Sequence, residues 1–491
     1  MRPTSFSLTS SHPLARPDTS WCPSTPRSTP CNHPRRLYAT KPSKSKPSSS
    51  TAAPDTETTR EKEYLSWAST AGIQFPKVTQ AYFYNSNGDG NGDGGLRGTK
   101  ALSAIDAGEL FITVPRQAAL VVEPTGGCPC SDFVSSEYWK QAPWYIKMAV
   151  LVLNEAQQGK NSRVWGYIRQ LPDSIDTPVR WTPQEISEIQ YPPLEEDILR
   201  QQKQWKEQYQ GFIQAAASPQ AKSISWDKFV WAAENVRSRA FSGPYAGAPL
   251  GDRLKLGGAV ASAGLAYIFL AHVPLEQALN GALAAAVFNL LYDIVLSNKL
   301  KWFALCPVID AINHSSGVTS SIEYEYFKDN FVCSTDMAYG AGDQVFISYG
   351  KQTNSSLFQY YGFIEGTGVN PHDIYAIPDG QIQGADSGSV PIRIVVTANG
   401  NLSPESLQSA RAACLGGGGG DEKEQELAMR RAIVSILEWE LASKATSLEE
   451  DERMMQTKHL LSERKARAVE YRMDRKRLLL KAIAKAKKKA K

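Results

Sequence analysis

Paired cysteines are the first thing this chain of 491 residues lacks. Its seven cysteines, Cys22, Cys31, Cys128, Cys130, Cys306, Cys333 and Cys414, are odd in number and show no paired CxxC spacing. That excludes a disulfide scaffold and a structural zinc site, and it points to a reducing compartment. A charge surplus is missing as well. With 54 Lys and Arg against 50 Asp and Glu the net charge is +4, too little for a nucleic-acid-binding field over the whole protein, so nucleic acid is not an expected partner. Apolar runs of membrane length are scarce. Leu256 to Val273 is eighteen residues without a formal charge, against about twenty needed to span a bilayer. Ala278 to Leu296 contains Asn280, Asn289 and Asp293, and an aspartate at a membrane centre costs roughly 2.5–3.5 kcal/mol. With Pro274 between the two runs, residues 256–296 read either as a hairpin in contact with a membrane, its Gly/Ala faces packed together, or as a self-packed helical insertion.

Acid is missing from the first 53 residues, where Asp18 stands alone among Arg2, Arg16, Arg27, Arg35, Arg36 and many Ser, Thr and Pro. This composition suits an organelle transit peptide over residues 1–60, and the lack of an amphipathic basic helix favours a plastid over a mitochondrion. A disordered tail unable to bury apolar surface is the alternative. Two ligand loops lack their decisive part. Asn85, Asn87, Asp89 and Gly90 begin a calcium-loop pattern, but its twelfth position is Leu96, which has no carboxylate. Gly90, Gly92 and Gly95 fit GxGxxG, but β-like sequence follows, with no helix to receive a pyrophosphate.

What is present is enough chain for two or three domains and a large core. Helical spacing begins near Glu61, and VTQAYFY reads as a strand over 78–84. Residues 135–230 are mainly helical, interrupted by a Pro-rich loop, SRVWGYIRQLPDSIDTPVRW. Beyond Pro378, PIRIVVTANGNLSPESL reads as strand, turn and helix, and residues 421–491 as charged helices. The chemistry-bearing residues gather in RSRAF (237–241), VIDAINHSS (308–316) and VFISYGKQTNSSLFQYYGF (345–363). They include an Asn-His pair after a β-type apolar run, and two tyrosines, Tyr349 closing the strand VFISY and Tyr361.

In that order these segments resemble the SET-domain methyltransferases, and most closely the Rubisco large-subunit lysine methyltransferase subgroup. GLRGTKALSAIDAGELFITVPR near the start and RKARAVEYRMDRKRLLL at the end extend the resemblance over about residues 62–485. It implies an α+β fold: a SET domain of small β-sheets with pseudoknot-like threading over 61–380, split by a helical insertion at about 135–230. An α-helical substrate-binding domain over 381–491 follows. It also implies S-adenosyl-L-methionine as cofactor, held by Asn313 and His314, by Arg239 at its carboxylate, and by the loop Gly95, Leu96 and Arg97. Tyr349 matches the catalytic tyrosine, and Tyr361 and Phe363 line the acceptor channel or the cofactor floor. Asp310 is a candidate substrate contact. Read from the residues alone, Arg239 also suits a framework ion pair, Asp310 a structural cap, and Tyr361 with Phe363 a strand-end core.

Transfer to an amine needs a free lone pair. A lysine of pKa about 10.4 is under about 0.1% deprotonated at pH 7, so the site must desolvate it. The resemblance implies a monomer acting on a protein such as the Rubisco large subunit or plastid aldolase, in the plastid stroma. A histidine acceptor and a catalytically silent SET scaffold in a plastid or membrane-associated complex are the alternatives. Two departures from the family bear on this. Gly95 stands where relatives often carry an acid, leaving backbone contact to the cofactor amine. No cysteine-rich zinc segment follows Phe363, which argues for a non-histone substrate. The basic stretch from Arg464 onward reads as a solvated helix face and frayed tail, or as an attractant for an acidic partner.

Overall fold

The computed structural model describes residues 56–83, 96–123, 126–244, 301–325, 328–383, 389–415 and 422–490, with isolated positions between 245 and 300. Residues 55–491 form one unit. Residues 1–55 of the transit-peptide segment, Gly95 and nearly all of 256–296 lie outside the described residues, while residues 56–60 already belong to the helix Thr56–Thr70. Among the described residues no helix is long and apolar enough to cross a membrane.

The strands in chain order are β1 (Val78–Phe83), β2 (Leu96–Ala101), β3 (Leu110–Pro115), β4 (Leu120–Val122), β5 (Phe241–Pro244) and β6 (Lys301–Leu305). There follow β7 (Asn313–His314), β8 (Ser320–Glu325), β9 (Asn330–Thr335), β10 (Gln344–Ile347), β11 (Ile374–Gln383) and β12 (Ser389–Thr397). They make four small sheets, ordered β1-β2-β10-β7, β3-β9-β8, β4-β6-β5 and β11-β12. One pairing matters most. The two-residue strand β7 runs parallel to β10, Asn313 opposite Phe346 and His314 opposite Ile347, while β10 pairs antiparallel with β2. The Asn-His pair is thereby fixed to the chain that leads into Tyr349.

Between β4 and β5 the chain is helical, as the apolar spacing predicts. Helix Trp144–Gln158 buries Ile146 and Met148 to Leu153, and its Trp144 ring stacks on Phe303 of β6 at 4.1 Å and 5°. Helix Trp226–Arg239 starts at Ser225, whose side chain accepts the Lys228 N–H, and buries Phe229 to Val236. This helix delivers Arg237 and Arg239 to the sheets.

The second core joins β11 and β12 to the helices Glu422–Ala442 and Glu463–Lys489, and takes in Trp181, Tyr191 and Ile198 from the insertion. Its buried ions depart from the reading of the basic stretch. Arg472, Asp474, Arg475 and Lys476 are all buried. Arg472 and Lys476 both bond Asp451, Arg475 bonds Asp373 and Asp474, and Arg464 reaches Asp176 and Glu185. Charges buried this deeply persist because they are paired.

Two local expectations are corrected. The run before Asn313 is not β-type: Ile309–Ala311 is a 3-10 turn, entered through Val308 at φ +72°. A β-branched residue in that region is strained, at a cost of about 1–3 kcal/mol, and the buried Tyr64 hydroxyl accepts the Val308 N–H at 3.0 Å there. Tyr361 is not at a strand end. Asn354–Tyr361 is a helix, capped by the Thr353 hydroxyl and closed by Gly362 at φ +78°, and β10 stops two residues before Tyr349.

Candidate active site

Strand β2 crosses the site with Gly98 facing Asn313. A Cβ at Gly98 would lie 2.8 Å from Asn313 Nδ2 and 2.7 Å from Gln344 Nε2, so any other residue would have to push these two amides aside. The Asn313 amide donates to the Arg97 carbonyl at 3.0 Å. Leu96 is exposed and Arg97 half-buried, its guanidinium donating to the Gln80 side-chain oxygen and, at 3.3 Å, to the Gln170 carbonyl.

Arg239 Nη1 donates to the Asp310 carbonyl at 3.0 Å and lies 3.4 Å from its carboxylate, which also accepts the Tyr167 hydroxyl at 2.8 Å. Burial pushes the Asp310 carboxyl up, opposed by Arg239 and Tyr167. Asp310 is 7% exposed, so its contacts here are framework contacts. Burial, and then repulsion from Arg239, pushes the Arg97 guanidinium down. Arg239 alone pairs with the Asp310 carboxylate, while Arg97 acts on the same cluster only through longer-range charge, leaving a surplus positive charge, and Arg239 Nε is buried with no hydrogen-bond partner. An added anion, such as an amino-acid carboxylate, would satisfy both.

Tyr349 sits between two rings. It stacks on His314 and on Tyr361, each at 5.0 Å and 24°, while Phe363 meets Tyr361 edge-on at 6.2 Å and is 36% exposed at the rim. The Tyr349 hydroxyl donates to the Ile312 carbonyl at 2.9 Å, and its backbone N–H donates to His314 Nδ1 at 3.0 Å. Burial pushes the Tyr349 phenol far up, with Arg239 opposing, and raises Tyr361 to about 12, with Arg237 opposing. Both phenols are therefore protonated at neutral pH. The site offers aromatic walls, a fixed hydroxyl and a cationic corner, and no phenolate base.

Of the residues read from the sequence, the structure gathers His314, Tyr349, Tyr361 and Phe363 in one aromatic cluster, and Arg97, Arg239 and Asp310 in one charged cluster. Asn313 bridges β7 to the Arg97 carbonyl. Gly98, Tyr167, Tyr64 and Glu365 were missed. Only Gly98 left a local signal, a glycine within a strand pattern. Among the described residues no His, Cys, Asp and Glu cluster could hold a metal ion. A cavity of about 360 Å³ lined by Arg60, Trp165, Lys228 and Trp231 shares no residue with either cluster.

Four small sheets, a helical insertion and a helical C-terminal lobe make up a SET-domain fold of the Rubisco methyltransferase type. Residues 403–479 match the family described as Rubisco LSMT substrate-binding. The chain is similar in structure to the SET domain of LSMT bound to lysine and AdoHcy, with a TM-score of 0.58 and 17% identity over 89% of this chain and 92% of that one. It is likewise similar to Rubisco LSMT bound to AdoMet, at 0.57 and 19% over 88% and 92%. In sequence it is 24% identical to actin-histidine N-methyltransferase of Gallus gallus over 56% of this chain and 39% of the relative. The Danio rerio protein of that name is also 24% identical, over 58% and 40%. The chain thus spans about two fifths of the length of these curated relatives.

Proposed function

We propose that this chain is an S-adenosylmethionine-dependent protein-lysine N-methyltransferase acting on a plastid protein. The observation that carries the reading is Tyr349: a protonated phenol pinned to the Ile312 carbonyl, walled by aromatic rings, beside the strand pair that holds Asn313 and His314. S-adenosylmethionine, when bound, supplies an electrophilic sulfonium methyl group. The residues present fit it: Arg239 Nε and the Arg97/Arg239 surplus charge suit its carboxylate, and the Asn313 amide and the β7 backbone suit its polar edges.

The work of the chain is placement and desolvation. The walls of Tyr349, Tyr361 and Phe363 strip water from an incoming amine and favour its neutral form, while the Tyr349 hydroxyl orients it. With its pKa raised, Tyr349 does not take the acceptor's proton. Water is left as the proton sink. A histidine acceptor is the second reading, favoured by the curated relatives named actin-histidine N-methyltransferase. Histidine needs no such desolvation, because its ordinary pKa of about 6.5 leaves it largely neutral.

The test is incubation of the full chain with methyl-labelled S-adenosylmethionine and stromal extract, followed by digestion of the labelled polypeptide. Methyllysine is the expected product. Methylhistidine would move the reading to the second acceptor, and no label despite measurable cofactor binding would leave a silent scaffold. Import of the labelled precursor into isolated plastids checks the compartment.

Gly98→Ala supplies an independent check on the cofactor site. The new methyl group must displace the Asn313 and Gln344 amides, an overpacking cost of about 1–3 kcal/mol. Calorimetric titration is expected to show S-adenosylmethionine affinity reduced about tenfold for each 1.4 kcal/mol that falls on the bound state. Unchanged affinity would remove Asn313 from the cofactor site.

A further inference from the structure

Phe363 is followed two residues later by Glu365, whose carboxylate returns to the ring behind Tyr349. Gly362 in the left-handed region ends the preceding helix and allows this return. Glu365 is held by three contacts: its Oε1 accepts the Ser316 N–H at 2.9 Å, its carbonyl accepts the Asn354 amide at 2.7 Å, and its own N–H donates to Asn354 Oδ1 at 3.3 Å. Its second carboxylate oxygen, Oε2, is buried without a hydrogen-bond partner and lies 3.7 Å from His314 Nε2.

The other nitrogen of that ring fixes the tautomer. His314 Nδ1 accepts the Tyr349 backbone N–H at 3.0 Å, and an accepting imidazole nitrogen carries no proton. The proton of the neutral ring is therefore on Nε2, facing Glu365 Oε2. A carboxylate on that side stabilises the tautomer that leaves Nδ1 free. The same ring stacks on the Tyr349 phenol, so His314 holds Tyr349 at its backbone and at its face.

We propose that Glu365 and His314 form a positioning pair for Tyr349, in which the carboxylate selects the Nε2–H tautomer and Nδ1 thereby fixes the backbone from which the phenol projects. Among the described residues, the titratable groups facing the ring are Glu365, His372 and Tyr349. Burial, the largest influence, lowers the His314 pKa below 6.5; Glu365 and then the Ile347 backbone oppose it, and His372 adds a smaller lowering. The neutral, accepting ring is thus fully present above the ordinary histidine value. It is lost as pH falls through the lowered one, when protonation of Nδ1 removes the acceptor.

Only the rate readout of this pair rests on the methyltransferase reading; the tautomer does not. In ¹⁵N-histidine-labelled full chain, with His314→Gln to assign the signal, His314 is expected to be neutral at pH 7 with Nε2 protonated. Glu365→Leu is expected to move the ring's titration to lower pH and to shift the acid limb of the kcat profile with it. It is also expected to lower kcat by up to about 10²-fold, the scale of a 1 Å misplacement, with KM for the acceptor protein held. Glu365→Gln, whose amide oxygen can take the place of Oε2 facing Nε2–H, is expected to recover most of the rate while still lowering the titration. If Glu365→Leu fails to fold, the titration of Glu365→Gln decides. An Nδ1–H tautomer in the wild type, or a titration unmoved by loss of the carboxylate, overturns the pair. A wild-type chain that transfers no methyl group overturns the function instead, and the tautomer still decides the pair.

Discussion

Tyr349→Phe is expected to lower methyl transfer by about 10²–10³-fold, the scale of losing one preorganised hydrogen-bonding group from an active site, here the phenol oxygen whose lone pairs face the acceptor, while S-adenosylmethionine binding is nearly unchanged. The substitution keeps the ring, and with it both 5.0 Å stacks on His314 and Tyr361. It also keeps the backbone N–H bonded to His314 Nδ1. What it removes is the hydroxyl and its 2.9 Å bond to the Ile312 carbonyl, worth about 0.5–1.5 kcal/mol of stability. Rate and folding effects therefore separate. Single-turnover transfer measured beside calorimetric cofactor binding and urea unfolding tests this. Loss of binding in step with rate would make Tyr349 part of the cofactor's wall, and a rate within a few-fold of wild type would remove it from the chemistry. Because the phenol is held protonated by burial, the wild-type rate should show no ionisation of Tyr349 between pH 6 and 9. A basic limb that disappears in Tyr349→Phe would contradict that state.

Much of this site was legible in the sequence because its parts lie in short segments with local constraints. Asn313 and His314 are adjacent, Arg239 ends a helix whose apolar spacing is plain, and Tyr349 follows a four-residue strand. The remainder depends on contacts over long separations. Arg239 and Tyr167 converge on Asp310 across 71 and 143 positions, and no local pattern reports that. The helix Asn354–Tyr361 is not legible locally, since an aromatic stretch such as LFQYYGF suits a strand-end core as well as the wall of a channel. The Thr353 cap and the Gly362 closure decide for the helix. The turn at Ile309–Ala311 was hidden for a related reason. Val and Ile read as β-formers, and only the tertiary hold of Tyr64 on Val308 fixes the unfavourable φ. Glu365 gave no signal at all, since its role lies in the ring it faces. The basic stretch misled most, because counting Lys and Arg does not reveal that Asp451 and Asp373 arrive from elsewhere.

Asp451→Asn is expected to cost about 3–5 kcal/mol of unfolding free energy, the scale for removing one partner of a buried ion pair. The Asp451 carboxylate is fully buried and is shared: Arg472 donates to Oδ1 at 2.8 Å and 2.9 Å, Lys476 to Oδ2 at 2.5 Å, and the Thr446 hydroxyl to Oδ1 at 2.8 Å. The two cations would not suffer equally. Arg472 keeps the Glu188 carboxylate at 2.8 Å and its carbonyl at 2.9 Å, whereas Lys476 would be left with the Thr446 hydroxyl at 2.8 Å and the Ser447 carbonyl at 3.5 Å. Most of the loss should therefore come from Lys476, whose pKa burial already lowers despite Asp451. It follows that Lys476→Met in the Asp451→Asn background restores more stability than Arg472→Met does, as urea midpoints would show. A loss under about 1 kcal/mol for Asp451→Asn, or the reverse order of rescue, would break the argument. The effect reaches the active site through the same helix. Between Arg472 and Lys476, Asp474 bonds the Asn354 amide at 3.1 Å and the Thr367 hydroxyl at 2.5 Å, while Arg475 bonds Asp373, so this helix clamps the segment carrying Tyr361, Phe363 and Glu365. Loosening it should lower kcat in proportion to the population in which the helix has come away, and the Lys476→Met rescue should return rate and stability together.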